Sequence, residues 1–448
     1  MYGLDAIERA FQAQGYLALG QSIPVVSRTE LTERRTGNRI AVCVEQNRVC
    51  ALALAHCGLT ALPGALGELT QLEELDLTGN RLTALPDWLG NLTQLRKLYL
   101  DNNRLTIFPE SLVRLLPLQE LHLDGNRLTE LPAGIDLLAQ LETLSVCGNQ
   151  LASLPDSLGR LVNLRVLNAR ANRLSRLPES LWQLTGLRIL FLGENPLSAL
   201  PERIGDLENL AELYIHSNEL AALPASIGNL QQLQTLDAGH NRLTALPASL
   251  GRLRNISRFL YLSNNQLTAL PESLFEQFEH LAYLNITDNR LTELPETIGS
   301  LTGLVELRLY NNQLVALPDS LGRLAKLQEL HVKNNRLVSL PGSLGDLSSL
   351  KRLGLSDNRL TALPDSLGRL SNLTSLDLRN NQLTALPDSL GQLSNLIYLD
   401  LRANKLVSLP DSLGELPRLE KLDLRWNKLA YLPAWIEPLE ARGGIVFK

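Results

Sequence analysis

The 448 residues contain only four cysteines, six histidines and 20 aromatic residues, and no block of basic residues. The cysteines, Cys43, Cys50, Cys57 and Cys147, lack the paired spacing of disulfide-capped extracellular repeats, so reduced thiols in a cytosolic protein are expected. A formal charge of −5 without a basic block favours neither nucleic acid nor an anionic membrane as partner. No apolar run approaches the roughly 18 residues of a membrane span. The N-terminal MYGLDAIERAFQ has no apolar core, so no secretory signal is expected. There is no GxxxxGK[ST], no kinase signature set, no HExxH and no paired CxxC. No catalytic constellation and no cofactor site are expected. Arginine outnumbers lysine 34 to 8, a compositional hint of a GC-rich bacterial genome.

What is present is repetition. In residues 358–380, NRLTALPDSLGRLSNLTSLDLRN, leucines stand at Leu360, Leu363, Leu367, Leu370, Leu373, Leu376 and Leu378. Neither a 3.6 nor a 2.0 period fits them all; only the stretch from Leu373 to Leu378 ends in strand alternation. The pattern LxxLxLxxN places one short strand in each turn of a solenoid. Asparagine closes the unit where the strand bends away, and its amide can satisfy backbone groups that the bend leaves unpaired. Pro364 suits a descending arm without ladder bonds. Asp365-Ser366 is expected to cap a short helical turn and Gly368 to end it.

The asparagine column runs from Asn80 to Asn427, with Cys57 in the same position one unit earlier, giving seventeen repeats. Steps are 23 residues except Asn241 to Asn265 and Asn265 to Asn289, which are 24. The extra residues fall near Arg254–Phe259 and Leu274–Phe278. Loop drift explains them, and a local change of curvature is the alternative.

Residues 1–48 read as an N-terminal cap. Leu4, Ile7 and Phe11 define a helix with Asp5 near its start and Gly15 near its end. Residues 22–38 read as polar and irregular, with Thr36-Gly37-Asn38 as a turn. Ile40, Val42 and Val44 alternate as a hairpin strand that returns through 45–48. Residues 49–432 hold the repeats. Residues 433–448 read as a C-terminal cap ending in an edge strand at Ile445-Val446-Phe447.

The unit LxxLPxxLGxLxxLxxLxLxxN resembles the intracellular 23-residue leucine-rich repeat group: Ras-suppressor-like scaffolds, plant Ras-group repeat proteins, the arms of Roco proteins and repeat effectors of plant-pathogenic bacteria. The resemblance implies an α/β fold, a right-handed leucine-rich repeat horseshoe with a parallel sheet on the concave face and short helical or 3-10 turns on the convex face. It implies a protein partner on the concave face, a small GTPase or another signalling protein, and a monomeric cytoplasmic scaffold or sensor. The alternative is a bacterial effector acting in a host cytosol. Enzymatic members carry catalysis outside the repeats, and little of this chain lies outside them.

Outward-facing positions are those −6, −4, −2 and −1 from each asparagine. They hold nine of the 20 aromatics, where an even spread would place about three. The candidate partner-binding residues are Tyr99, His122, Phe191, Tyr214, His216, Asp237, His240, Phe259, Tyr261, Tyr283, Arg308, Tyr310, His331 and Lys333. Aromatics fit an exposed strand surface for packing reasons alone. Gathered on one open sheet face, they read better as interface anchors. His216, Asp237 and His240 invite a zinc reading, but exposed polar residues on a binding face explain them and no metal is expected. Cys147 reads as a small strand residue rather than a reactive thiol. Towards the C-terminus, Asp377/Arg379, Asp400/Arg402 and Asp423/Arg425 repeat as acidic and basic columns, an ion-pair ladder whose pairs contribute at most about 1 kcal/mol each, with a second polar docking site as the alternative.

Overall fold

The computed structural model describes residues 4–13, 15, 17, 22–33 and 39–448. The chain divides into two compact units, Met1–Ser198 with Arg203–Glu219, and Ala199–Glu202 with Leu220–Lys448.

The first unit opens with α1, Leu4–Ala13, whose Ile7 and Phe11 are fully buried. Gly15, at φ +75°, donates to Gln12 O and ends the helix, as its position suggested. The side chain of Leu4 and the turn at Thr36-Gly37-Asn38 lie outside the described residues. Residues 22–38 are not all irregular: α2 spans Arg28–Glu33. Its signal is the S-x-x-E of Ser27 to Glu30. Ser27 N–H donates to Glu30 Oε2 at 2.9 Å and Glu30 N–H to Ser27 Oγ at 3.2 Å, a reciprocal capping box.

Strands β1, Arg39–Glu45, and β2, Arg48–Ala55, pair antiparallel through Gln46 and Asn47, both with positive φ as a two-residue hairpin turn requires. The free edge of β1 is not left open. Val26 N–H donates to Val42 O at 2.8 Å and Val42 N–H to Pro24 O at 2.9 Å. Buried Leu31 of α2 packs with Ala41, Ala51 and Ala53. After β2, three-residue strands join in parallel from Glu74–Asp76 to Glu212–Tyr214.

The second unit is a parallel series from Thr235–Asp237 to Ile445–Phe447. A short helix, α3 at Ile436–Ala441, precedes its last strand, which pairs with Lys421–Asp423. In both units the leucine columns are buried, each burial worth roughly 2 kcal/mol.

The asparagines do what the bend demands. In the first unit Asn126 Nδ2 donates to Leu100 O and Leu123 O at 3.0 and 2.9 Å, and its Oδ1 accepts from Leu105 N–H at 3.0 Å. In the second, Asn358 repeats this with Val332 O, Leu355 O and Leu337 N–H, each at 3.0 Å. The residue before the asparagine is left-handed: Asn102, Asn264, Asn311 and Asp357 lie at φ 53–59°, and so do Ala171 and Ala403 near 54°. The position is therefore a turn residue and not a strand one, and the run of Gly, Asn and Asp there is its sequence signal.

Asp365–Arg369 forms a 3-10 turn, but Asp365 and Ser366 do not cap it. Pro364 occupies the cap and no side chain bonds there. Nor does Gly368 end the turn; Leu370 does. A Cβ at Gly368 would stand 2.3 Å from Ser389 O, so the glycine is required by the close approach of the next coil. Both extra residues are absorbed locally. Across both long steps the strand register continues unbroken, with Leu236, Leu260 and Leu284 in line. The second extra residue lies by the turn Glu272–Phe275, where Phe275 and Phe278 are fully buried.

Candidate functional site

Period-two alternation turns the side chains flanking each buried strand leucine to the sheet's outer face. In the first unit these include an acidic set. Asp101 Oδ1 accepts from Asp124 N–H at 2.7 Å, and Asp124 Oδ1 accepts from Ser145 Oγ and Cys147 N–H at 2.6 and 2.7 Å. Burial, with the Asp124 charge adding to it, pushes Asp101 up to about 6. Glu120 goes the other way, down to about 2. Hydrogen bonding from His122 leads, and Lys97 and Tyr99 join it against the opposing effect of burial. Lys97 Nζ stands 2.6 Å and Tyr99 OH 2.9 Å from that carboxylate.

Tyr99 is therefore not the exposed anchor expected of it. It is 4% exposed, stacked on His122 at 4.8 Å with its hydroxyl spent on Glu120. Phe191 and Tyr214 do form a platform, half-buried and stacked at 4.6 Å with planes 14° apart. His216 lies 3.9 Å from Glu194, which Arg170 also holds. Burial leads the effects that raise the Cys147 thiol above its ordinary value, with the Asp124 charge adding, so it has no activated character.

In the second unit, parallel register sets Asp237, Tyr261 and Asn285 side by side, and Phe259 beside Tyr283. The three rings meet: Phe259 and Tyr261 at 5.7 Å, Phe259 and Tyr283 at 5.9 Å edge to face, Tyr261 and Tyr283 at 5.1 Å. Arg308 lies over Tyr283, 5.4 Å from its centroid. Phe259 is 41% exposed, unusual for a phenylalanine in a strand. Burial raises both tyrosines, Tyr283 to about 12, so both are neutral donors at physiological pH. Tyr310 is half-buried on the Arg308 strand's exit. His240, exposed, meets Asn264 at 3.3 Å.

His331 belongs to a different group. Its Nε2 lies 3.0 Å from Glu329 and 4.0 Å from Glu306, and those carboxylates already hold Arg352 and Arg308. Among the described residues, three potential metal ligands converge here and at Cys43, Glu45 and Cys50, and not at His216, Asp237 and His240. Lys333 has further neighbours towards the C-terminus. With Asp357, Arg379, Asn380, Arg402, Ala403 and Trp426 it lines a shallow hollow of about 310 Å³. Sequence reading did not bring these together, because the hollow follows the left-handed turns rather than the strands. The hollow is not strongly basic: Arg379 lies 3.6 Å from Asp377, and Arg402 lies 3.3 and 3.8 Å from Asp400 and Asp423. Arg425 pairs with Asp423 at 2.6 Å. Burial alone would raise Asp423, but hydrogen bonds from Arg425 outweigh it and hold the carboxyl low.

Among the described residues no helix is long and apolar enough to cross a membrane. Comparison with curated proteins finds no match. Two family patterns match: "Leucine rich repeat" over residues 48–105, 70–128, 116–174 and 139–197, and "Leucine-rich repeat region" over 273–353 and 338–431. Among solved structures, a leucine-rich repeat protein of Leptospira interrogans is 32% identical over 96% of this chain and 100% of its own, with a TM-score of 0.74. YopM from Yersinia enterocolitica is 28% identical over 96% and 88%, with a TM-score of 0.65. The plant peptide hormone receptor RGFR1 in complex with RGF2 is 27% identical over 89% and 78%, with a TM-score of 0.65. Repeat pattern, parallel strands and relatives agree, and the chain belongs to the leucine-rich repeat proteins.

Proposed function

We propose that this is a non-enzymatic interaction protein, a cytoplasmic scaffold or sensor that binds a protein partner on the outer face of its sheet. The observation that carries the reading is the contact cluster of Phe259, Tyr261 and Tyr283 with Arg308 over it. Tyr and Arg dominate the energetic centres of interfaces, and an exposed aromatic group on a sheet is costly to keep without a use. Asp237, His240, Tyr310, His331 and Lys333 are proposed as polar surroundings of that cluster, and Phe191, Tyr214 and His216 as a further platform in the first unit. The 23-residue period supports placement in the intracellular group, with a small GTPase or another signalling protein as partner and a monomer as the working form. The test is affinity capture with the intact chain and with Tyr261, Tyr283 and Tyr310 all changed to alanine. Loss of the captured partner from a folded variant is expected; unchanged capture overturns the assignment.

A second reading, a bacterial effector acting inside a host cell through the same face, is favoured by the likeness to YopM and to the Leptospira protein. Delivery of a reporter-tagged chain into host cytosol distinguishes the two; a tagged chain retained by the bacterium removes this reading.

A further inference from the structure

The hairpin of β1 and β2 contains an irregularity. Cys43 pairs with Ala51 and Val44 with Val49, which leaves Cys50 as the extra residue of a bulge. Bulges re-aim side chains. Here Cys50 Sγ turns towards Cys43 and lies 3.3 Å from its carbonyl oxygen, while Cys43 Sγ lies 3.8 Å from Glu45 Oε1. The two sulfurs and a Glu45 oxygen are all within 4.8 Å of one another. Both cysteines are buried, at 3% and 5% exposure, and Glu45 stands at the solvent rim. We propose that Cys43, Cys50 and Glu45 form a binding site for a thiophilic divalent metal ion of the zinc class.

Two thiolates and a carboxylate are a donor set that Zn²⁺ accepts, with a water completing the tetrahedron. The charges favour it. A thiophilic ion enters as two thiol protons leave, so the net charge of the pocket does not change. Arg28 lies against Glu45, its Nε 3.3 Å from Oε1 and its NH1 3.2 Å from Glu73 Oε2, and it also meets Cys50, so it can hold Glu45 in orientation and favour the Cys50 thiolate. The group at Glu306, Glu329 and His331 contrasts with this. It has no thiol proton to release, so a divalent ion would add its full charge beside Arg308 and Arg352. The exposed Glu45 also gives the ion a way in. A metal here would tie β1 to β2 beside α2, where the repeat stack begins.

The test is a titration of the reduced, chelator-treated full chain with Co²⁺, followed by Zn²⁺. A thiolate-to-cobalt charge-transfer band saturating at one ion per chain, abolished by added Zn²⁺, is expected. Cys43→Ser and Cys50→Ser should each remove the band, Glu45→Gln should weaken affinity at least about tenfold, and Cys57→Ser with Cys147→Ser should change nothing. Alkylation of the unmodified protein in enough urea to open the buried thiols transiently gives an answer that needs no variant: Zn²⁺ should slow modification of Cys43 and Cys50 and leave that of Cys57 and Cys147 unchanged. A missing band, a band that survives loss of both cysteines, or equal alkylation with and without Zn²⁺ overturns the proposal.

Discussion

In the first unit the outer face of the sheet carries carboxylates that shape one another: Asp101 and Asp124 share a hydrogen-bonded column, and Glu120 gathers Lys97, Tyr99 and His122. In the second unit the corresponding positions hold three touching rings under an arginine, and further on carboxylates already matched by Arg379, Arg402 and Arg425. Beneath both faces the frame is the same, with leucine columns and an asparagine ladder. The face thus changes its chemistry from acidic to aromatic over one frame, because the leucine columns and the asparagine ladder are built from other side chains. In a solenoid, where each coil contacts only its neighbours, such a change is local.

If the frame is common, breaking it should cost the same in either unit. Asn126→Ala and Asn358→Ala each strand Leu105 or Leu337 N–H and several buried carbonyls, and should each destabilise by about 3 kcal/mol in urea unfolding. A large difference between the two would break the comparison. Next in size is the packing of successive coils. Gly368→Ala should cost about 2 kcal/mol, since its Cβ meets Ser389 O at 2.3 Å, whereas Gly342→Ala has nothing within 4 Å and should be near neutral.

Most of this frame was legible in the sequence because it repeats: a leucine, proline or asparagine recurring in step can be assigned from its column. What was illegible lay where the signal was single or three-dimensional. The capping box of Ser27 and Glu30 occurs once, in a polar stretch that looked unstructured. Gly368 looked like a helix stop because its real constraint, Ser389, is a coil away. Tyr99 shared a column with Tyr261, and only the neighbouring Glu120 network separates a buried tyrosine from a half-buried one. The bulge at Cys50 has no sequence mark, so the two thiols could not be paired by spacing.

Two carboxylates on the first unit's face should titrate in opposite directions. Asp101, raised to about 6, contributes stability that is fully present below its unfolded value near 3.9 and is lost as pH rises through about 6. Glu120, lowered to about 2, contributes stability present above about 4.3 and lost as pH falls through about 2. Asp101→Asn, which keeps the acceptor for Asp124 N–H, should therefore stabilise the protein by about 1–2 kcal/mol at pH 7 and flatten the stability profile between about pH 4 and 6. The smallest effect is expected at the left-handed column. Ala403→Gly, at φ 54°, should raise stability by up to about 1 kcal/mol, seen as a small shift of the unfolding midpoint.

On the proposed reading the aromatic face of the second unit, and not the acidic face of the first, receives the partner. Hydroxyl-radical footprinting of the captured complex tests it at single side chains. Protection of Phe259, Tyr261, Tyr283 and Tyr310, with His122 as reactive as in the free chain, is the predicted result. Protection of His122 while those four rings stay fully reactive would contradict it.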